Sequence, residues 1–272
     1  MNIHMRGNRP RSRASAGFSL VEMMIAATVS LFVIGALLTV VASSSSAGKT
    51  RERSAELQDT GRYALDQIKG DLLHAGFLGL STLFAPDDPL GFAVTNVCDS
   101  TTVGKISLRI WGANDSNPYN ASCIPNANYS TGDVLVIRGL NPLPVTAPFS
   151  STKAYYHSSY EKGGAFKGPG VAIEIDCTGV NFIAPCIDYL INDTAYYVSP
   201  YTTSAAESPL VPALYRMRLS AGPAMVAELV ASGVENMQVR YGVFQTDSTI
   251  LYLAADSIAD TDWDAVKSAQ IW

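Results

Sequence analysis

Histidine and charge are both scarce in this chain. Its only histidines are His4, His74 and His157, and none has the neighbouring nucleophile, acid or ligand spacing that acid–base or metal chemistry needs. No G-x-S-x-G, Walker-type loop or HExxH occurs, so neither an enzyme nor a cofactor is expected. Charged residues make up 16% of the sequence and the net charge is −5, a poor basis for binding a phosphate backbone, so no direct nucleic acid binding is expected. No two of the four cysteines form a CxxC, which weakens the zinc and thioredoxin readings. Residues 23–48 lack proline, and residues 1–17 lack acid.

What is present is concentrated at the N-terminus. Residues 1–17, MNIHMRGNRPRSRASAG, carry Arg6, Arg9, Arg11 and Arg13 but no apolar core of the kind a secretory signal places before its cleavage site. The apolar run follows instead: Met23 to Ala42 is free of charge and proline. Twenty residues of helix span roughly 30 Å, the thickness of a bilayer's hydrocarbon core. All four arginines lie on one side, which keeps the N-terminus in the cytoplasm and sends everything from about Ser43 outward. Cys98, Cys123, Cys177 and Cys186 then lie outside the cytoplasm, where disulfides are favoured. They allow three connectivities, of which the local one, Cys98 with Cys123 and Cys177 with Cys186, is preferred because each bridge staples one loop-rich segment.

A lone span is usually a plain anchor, but Glu22 changes that reading. A carboxylate at the edge of an apolar helix is costly unless it is paired. Gly17-Phe18-Ser19-Leu20-Val21-Glu22 resembles the type IV prepilin cleavage motif: a basic leader ending in Gly, then Phe, with Glu at the fifth mature position. The resemblance implies that a prepilin peptidase cuts between Gly17 and Phe18 and methylates the Phe18 amine. It also implies that Glu22 meets the Phe18 amine of a neighbouring subunit, setting register as the helix passes from membrane to filament. Loss of residues 1–17 removes four arginines and no acid, taking the net charge from −5 to −9.

Beyond the SSSSAG stretch at 43–48, read as flexible or frayed, Leu57, Ala64, Leu65, Ile68, Leu72 and Leu73 recur at helical steps, with Arg51, Arg53, Glu56, Asp59, Arg62, Asp66 and Lys69 largely opposite. This predicts the second half of a stalk helix, ended by Gly76 and Gly79. From about residue 80, short β-like runs follow: Lys105–Trp111, Asp133–Arg138, Val171–Asp176, Thr194–Ser199, Ala213–Leu219, Val226–Val230, Glu235–Phe244 and Ala265–Trp272. In ALYRMRL at 213–219, Leu214 or Tyr215 alternates with Arg216 and Arg218, the mark of a half-exposed antiparallel strand. The expected fold is α+β and type IV pilin-like: a long N-terminal helix, membrane-spanning in its first half, packed on a mainly antiparallel β-sheet domain. The expected segments are a leader (1–17), a membrane or filament-core helix (18–48), an amphipathic second half (49–80) and a periplasmic β-rich domain (81–272).

Residues 233–243, GVENMQVRYGV, with Trp263 and Ala265-Val266 downstream and LLHAGFLG at 72–79, resemble minor pilins of the PilW type. The resemblance covers both ends of the chain and little of 85–210. The proline-free span and the absence of a cysteine after Cys186 depart from major pilins and agree with a minor one. It implies a subunit that primes type IV pilus assembly within a tip complex and supports pilus biogenesis, twitching motility and adhesion. Its partners would be other minor and major pilins, the prepilin peptidase, the inner membrane before assembly and, in some cases, a tip adhesin. Two alternatives remain: a J-type minor pseudopilin of type II secretion, and a single-span exoplasmic binding protein that never assembles. Asp256, Asp260, Asp262 and Asp264 lack the Gly and distal Glu of an EF-hand and read as a solvated acidic loop, with no metal expected. The Tyr-rich run at 153–170 reads as a glycine-punctuated loop containing His157, with aromatic area suited to recognition. The sequence stops at Ile271-Trp272 inside a strand-like run, which leads to the expectation that a few more residues follow.

Overall fold

The computed structural model describes residue 17, residues 19–80, 98, 106, 108–160, 163–169, 186–220 and 222–272. The expected strand at Val171–Asp176 and the sites Phe18 and Cys177 lie outside the described residues. The chain divides into two compact units, residues 1–56 and 57–272.

The first helix, α1, runs unbroken over Leu20–Leu73. Ser43–Gly48, expected to be flexible or frayed, is helical: serine is only a mediocre helix former, and with no proline present the helix propagates cooperatively through the one glycine. Its end comes earlier than the glycines predicted. After Leu73 the His74 and Ala75 amides bond the carbonyls of Asp71 and Leu72, and Gly76 then donates to the carbonyl of Arg138. Gly76 and Gly79 instead hold left-handed φ angles of 71° and 69° in the turn that carries the chain onto the sheet.

Within residues 57–272, Ala64 and Ile68 are the buried positions of α1. The inward stripe is therefore narrower than expected, since Leu57, Leu65 and Leu73 are exposed. Among the described residues two antiparallel sheets accompany the helix. In the larger, β5 (Ile187–Ser199) is the long central strand. One side of it is lined by β2 (Val134–Val145), whose other edge pairs with β1 (Ile110–Ala113). The other side pairs first with β3 (Ala154–Ser158) and then with β6 (Ala213–Ser220). Outside these lie β4 (Gly163–Lys167), against β3, and β7 (Ala224–Ser232), against β6. The smaller sheet has β8 (Val239–Phe244) between β9 (Ile250–Leu253) and β10 (Val266–Ile271).

Ile68 and Ala64 share a core with Leu135, Ile137, Tyr196 and Val198 of the larger sheet, with Tyr241 and Val243 of the smaller, and with Trp263 in the turn before β10. Burying such side chains stabilises the fold by about 2 kcal/mol each. Gly112 is needed here: a Cβ at this position would lie 1.9 Å from the Tyr241 hydroxyl, so only glycine lets that ring cross β1. Asp133 clips the two sheets together, its carboxylate accepting the amides of Asp115 (2.9 Å) and Val239 (2.7 Å).

Three expectations need correction. The Tyr-rich segment is mainly the β3–β4 hairpin, with Tyr155 and Tyr156 buried and Tyr155 stacked on Phe166 at 5.3 Å. Cross-strand aromatic packing outweighs the loop signal of its glycines. His157 accordingly sits in a strand, its Nδ1 2.6 Å from Asp188 Oδ1. Strand β9, which no expected run covers, is a short return strand after the turn at Asp247–Ser248.

Candidate functional site

Helix α1 begins with Ser19, whose carbonyl accepts the Met23 amide at 3.1 Å. This places Glu22 in the first turn, where the helix dipole favours an acid. Gly17, Ser19 and Glu22 are all exposed. So is every large apolar side chain of the span, from Leu20 to Val41, with Phe32 81% exposed. The most apolar window has a mean hydropathy of 2.5 and none of it is buried. Its hydroxyls are turned inward: Thr28 bonds the carbonyls of Met24 (3.2 Å) and Ile25 (2.8 Å), Ser30 that of Ala26 (2.7 Å) and Thr39 that of Ala36 (2.7 Å). Polar side chains that satisfy themselves on the local backbone are compatible with hydrocarbon on all sides.

The other end of α1 is built differently. Asp71 lies in the last turn, where the dipole disfavours an acid and the helix offers no basic residue. Its partners come from the sheet: the Tyr196 hydroxyl donates to Oδ2 at 2.6 Å and Arg216 Nη1 lies 3.9 Å from the same oxygen. Arg216 Nε in turn donates to Glu228 at 2.9 Å. The expected alternation in β6 is thus only partly kept, because Arg216 is half-buried in this network. Burial, then the hydrogen bond to Asp71, pushes the Tyr196 phenol up.

Two matches define the ends of the chain. The Prokaryotic N-terminal methylation motif matches residues 12–38, and Type IV Pilus-assembly protein W matches residues 195–272. Together the two matches support a type IV pilin of the PilW type. No curated protein and no solved structure matches it. The pilin is a minor pilin involved in pilus assembly, with a single-pass inner-membrane anchor and processing by prepilin peptidase, in a class of structural rather than enzymatic proteins. The PilW match begins inside β5 and takes in β6 to β10, so it covers Tyr196, Arg216 and Glu228 and all of the smaller sheet.

The remaining sequence-derived residues are scattered. Cys98 and Cys123 form a disulfide, buried beside Tyr119 and Ile124. Cys186 is also disulfide-bonded. Asp256, Asp260, Asp262 and Asp264 are exposed around two short 3-10 turns, at Ala255–Ser257 and Trp263–Ala265. Among the described residues no group of three His, Cys, Asp or Glu is placed to hold a metal ion.

Sequence reasoning missed one charged pair entirely. Arg138 and Asp193 face each other across β2 and β5, with Nε 3.9 Å from Oδ1 and both side chains almost sealed from solvent. Arg138 also donates to the Leu108 carbonyl at 3.1 Å, whereas neither Asp193 oxygen has a hydrogen-bond partner among the described residues. Burial pushes the Asp193 carboxyl up to about 7 against the pull of Arg138. The only trace in the sequence is a charge within each of two apolar runs.

Proposed function

We propose that this minor pilin helps initiate type IV pilus assembly as part of a tip complex, and thereby supports pilus biogenesis, twitching motility and adhesion. The observation that carries the reading is an apolar stretch of helix, Leu20 to Val41, whose large side chains are all exposed among the described residues, opening on a prepilin motif with Glu22 in its first turn. Cleavage between Gly17 and Phe18 exposes an amine four residues before that carboxylate. In an isolated subunit the membrane solvates the helix. In a filament, neighbouring helices replace lipid around the same side chains, and Glu22 pairs with the methylated Phe18 amine of the adjacent subunit. The pairing offsets the desolvation of both charges and fixes the axial step. Residues beyond the span form the periplasmic domain, which becomes part of the pilus tip.

Mass spectrometry of the mature N-terminus tests the processing step. N-methylated Phe18 is expected, and a chain that keeps residues 1–17 or is cut elsewhere contradicts it. Labelling of sheared pili is the companion measurement, with signal expected at filament ends; signal spread evenly along the shaft argues against a tip position.

A further inference from the structure

A cleft of about 290 Å³ lies where the end of α1 meets β1 and β10. Its apolar lining comes from Leu72, Leu73, Ile110 and Ala269, and Lys69, Arg109 and Lys267 surround it. All three cations are exposed, and no carboxylate contributes to the lining. None of the three forms an ion pair among the described residues, where the charge pairs are Arg138–Asp193, His157–Asp188 and those of Arg216 with Asp71 and Glu228. Lys267 Nζ only reaches the Asp264 carbonyl, at 3.1 Å, and Asp71 on the same helix turn is engaged by Tyr196 and Arg216. Three cations with no ion pair among the described residues, gathered around one apolar hollow, are unexpected in a chain with 24 acids and 19 Lys and Arg residues.

The cations come from three separate elements, so the positive rim is made by the fold and not by a basic run in the sequence. Leu73 adds an apolar side chain that is 74% exposed beside it. An apolar centre with a charged rim is the anatomy of a protein–protein contact. The hollow is at or below the small end of ligand pockets, roughly 300–1,000 Å³, and fits two or three side chains presented by another surface better than an engulfed small molecule.

The geometry points to this cleft as the docking site for an acidic, apolar segment of another pilin subunit, one that places its carboxylates against Lys69, Arg109 and Lys267 and an apolar side chain against Leu72 and Leu73. The inference rests on the filament reading above and adds a second contact to that of Glu22. Charge complementarity selects the acidic segment, and steers encounter more than it sets final affinity, so binding falls as salt rises.

The test places a photoreactive amino acid at position 73 of the full chain, in cells that make its companion pilins, and maps the cross-linked peptide. The expected adduct is an acidic segment of a different subunit that carries the prepilin motif. In the same cells K69E/K267E lowers that adduct and the co-isolated pilin at least tenfold, while K69R/K267R retains both. The thermal midpoint of the detergent-solubilised K69E/K267E chain stays at the wild-type value, because both lysines are exposed. Cross-linking to a second copy of this chain, to phospholipid or to nothing overturns the inference, as does an adduct unaffected by K69E/K267E. If the wild-type chain co-isolates no pilin at all, the filament reading falls with it; if it does and only the charge reversal is silent, the cleft alone is refuted.

Discussion

The two ends of α1 each present a carboxylate, and they solve the same electrostatic problem in opposite ways. Asp71 finds its partners within the chain, in Tyr196 and Arg216. Glu22 has none among the described residues and stands at the start of a stretch, Leu20 to Val41, whose large apolar side chains are all exposed. Residues around Ile68 are held by burial that one molecule completes alone, while residues 20–41 are more apolar still and leave every large side chain exposed. On the filament reading proposed above, the difference locates assembly in the part of the helix whose large apolar side chains the single chain leaves exposed.

The sharpest way to break this comparison is to remove each carboxylate in turn. Glu22→Ala is expected to cut piliation at least tenfold while leaving the unfolding of the solubilised domain unchanged; normal pili counted by microscopy would remove the central role of that residue. Ile68→Ala should do the reverse, costing about 2–5 kcal/mol of domain stability in urea titrations, through lost transfer free energy and the cavity left behind. Phe32→Ala, an equally apolar deletion in the exposed half, should change that stability by less than about 0.5 kcal/mol.

Tyr196→Phe removes a single hydroxyl and sharpens the Asp71 side of the contrast. About 1–2 kcal/mol should be lost, since a half-buried carboxylate gives up its shortest hydrogen bond and keeps only the longer contacts to Asn192 and Thr194 (3.5 Å each) and the distant Arg216. A change below about 0.3 kcal/mol would mean that water or Arg216 replaces the phenol.

The remaining expected effect is a pH slope. The Asp193 carboxyl is held at about 7 in the folded protein, whereas an unfolded aspartate titrates near 3.9. The folded state therefore binds the extra proton between these values. Stability from this group is complete below about pH 4 and is lost as pH rises through about 7. Asp193→Asn cannot titrate, so the thermal midpoint of the wild type relative to the variant should decline across that window. Parallel curves would show that Asp193 stays ionised against Arg138 throughout.

Much of this pilin was legible in order and spacing. The leader charges, Gly17, Phe18, Glu22 and a charge-free run long enough to cross a bilayer are local features, and the late strands follow from alternation and turn residues. The β3–β4 hairpin was not legible, because glycines that open a loop in isolation also admit aromatic side chains across a strand pair, as Gly163 does for Tyr156. Leu57, Leu65 and Leu73 show the same limit: helical spacing places a residue near a face, but the width of the buried stripe depends on the sheet that meets it.

The sequence by itself determined that this chain begins as a membrane-anchored prepilin and continues as a β-rich domain, because cleavage motif, span length and charge bias are properties of contiguous residues. Tertiary structure alone decided that Asp71 is satisfied, that Asp193 is sealed beside Arg138, and that Lys69, Arg109 and Lys267 converge on one cleft. Each of those depends on residues far apart in the chain meeting in space, and electrostatic and packing energies are set by that distance rather than by separation in sequence.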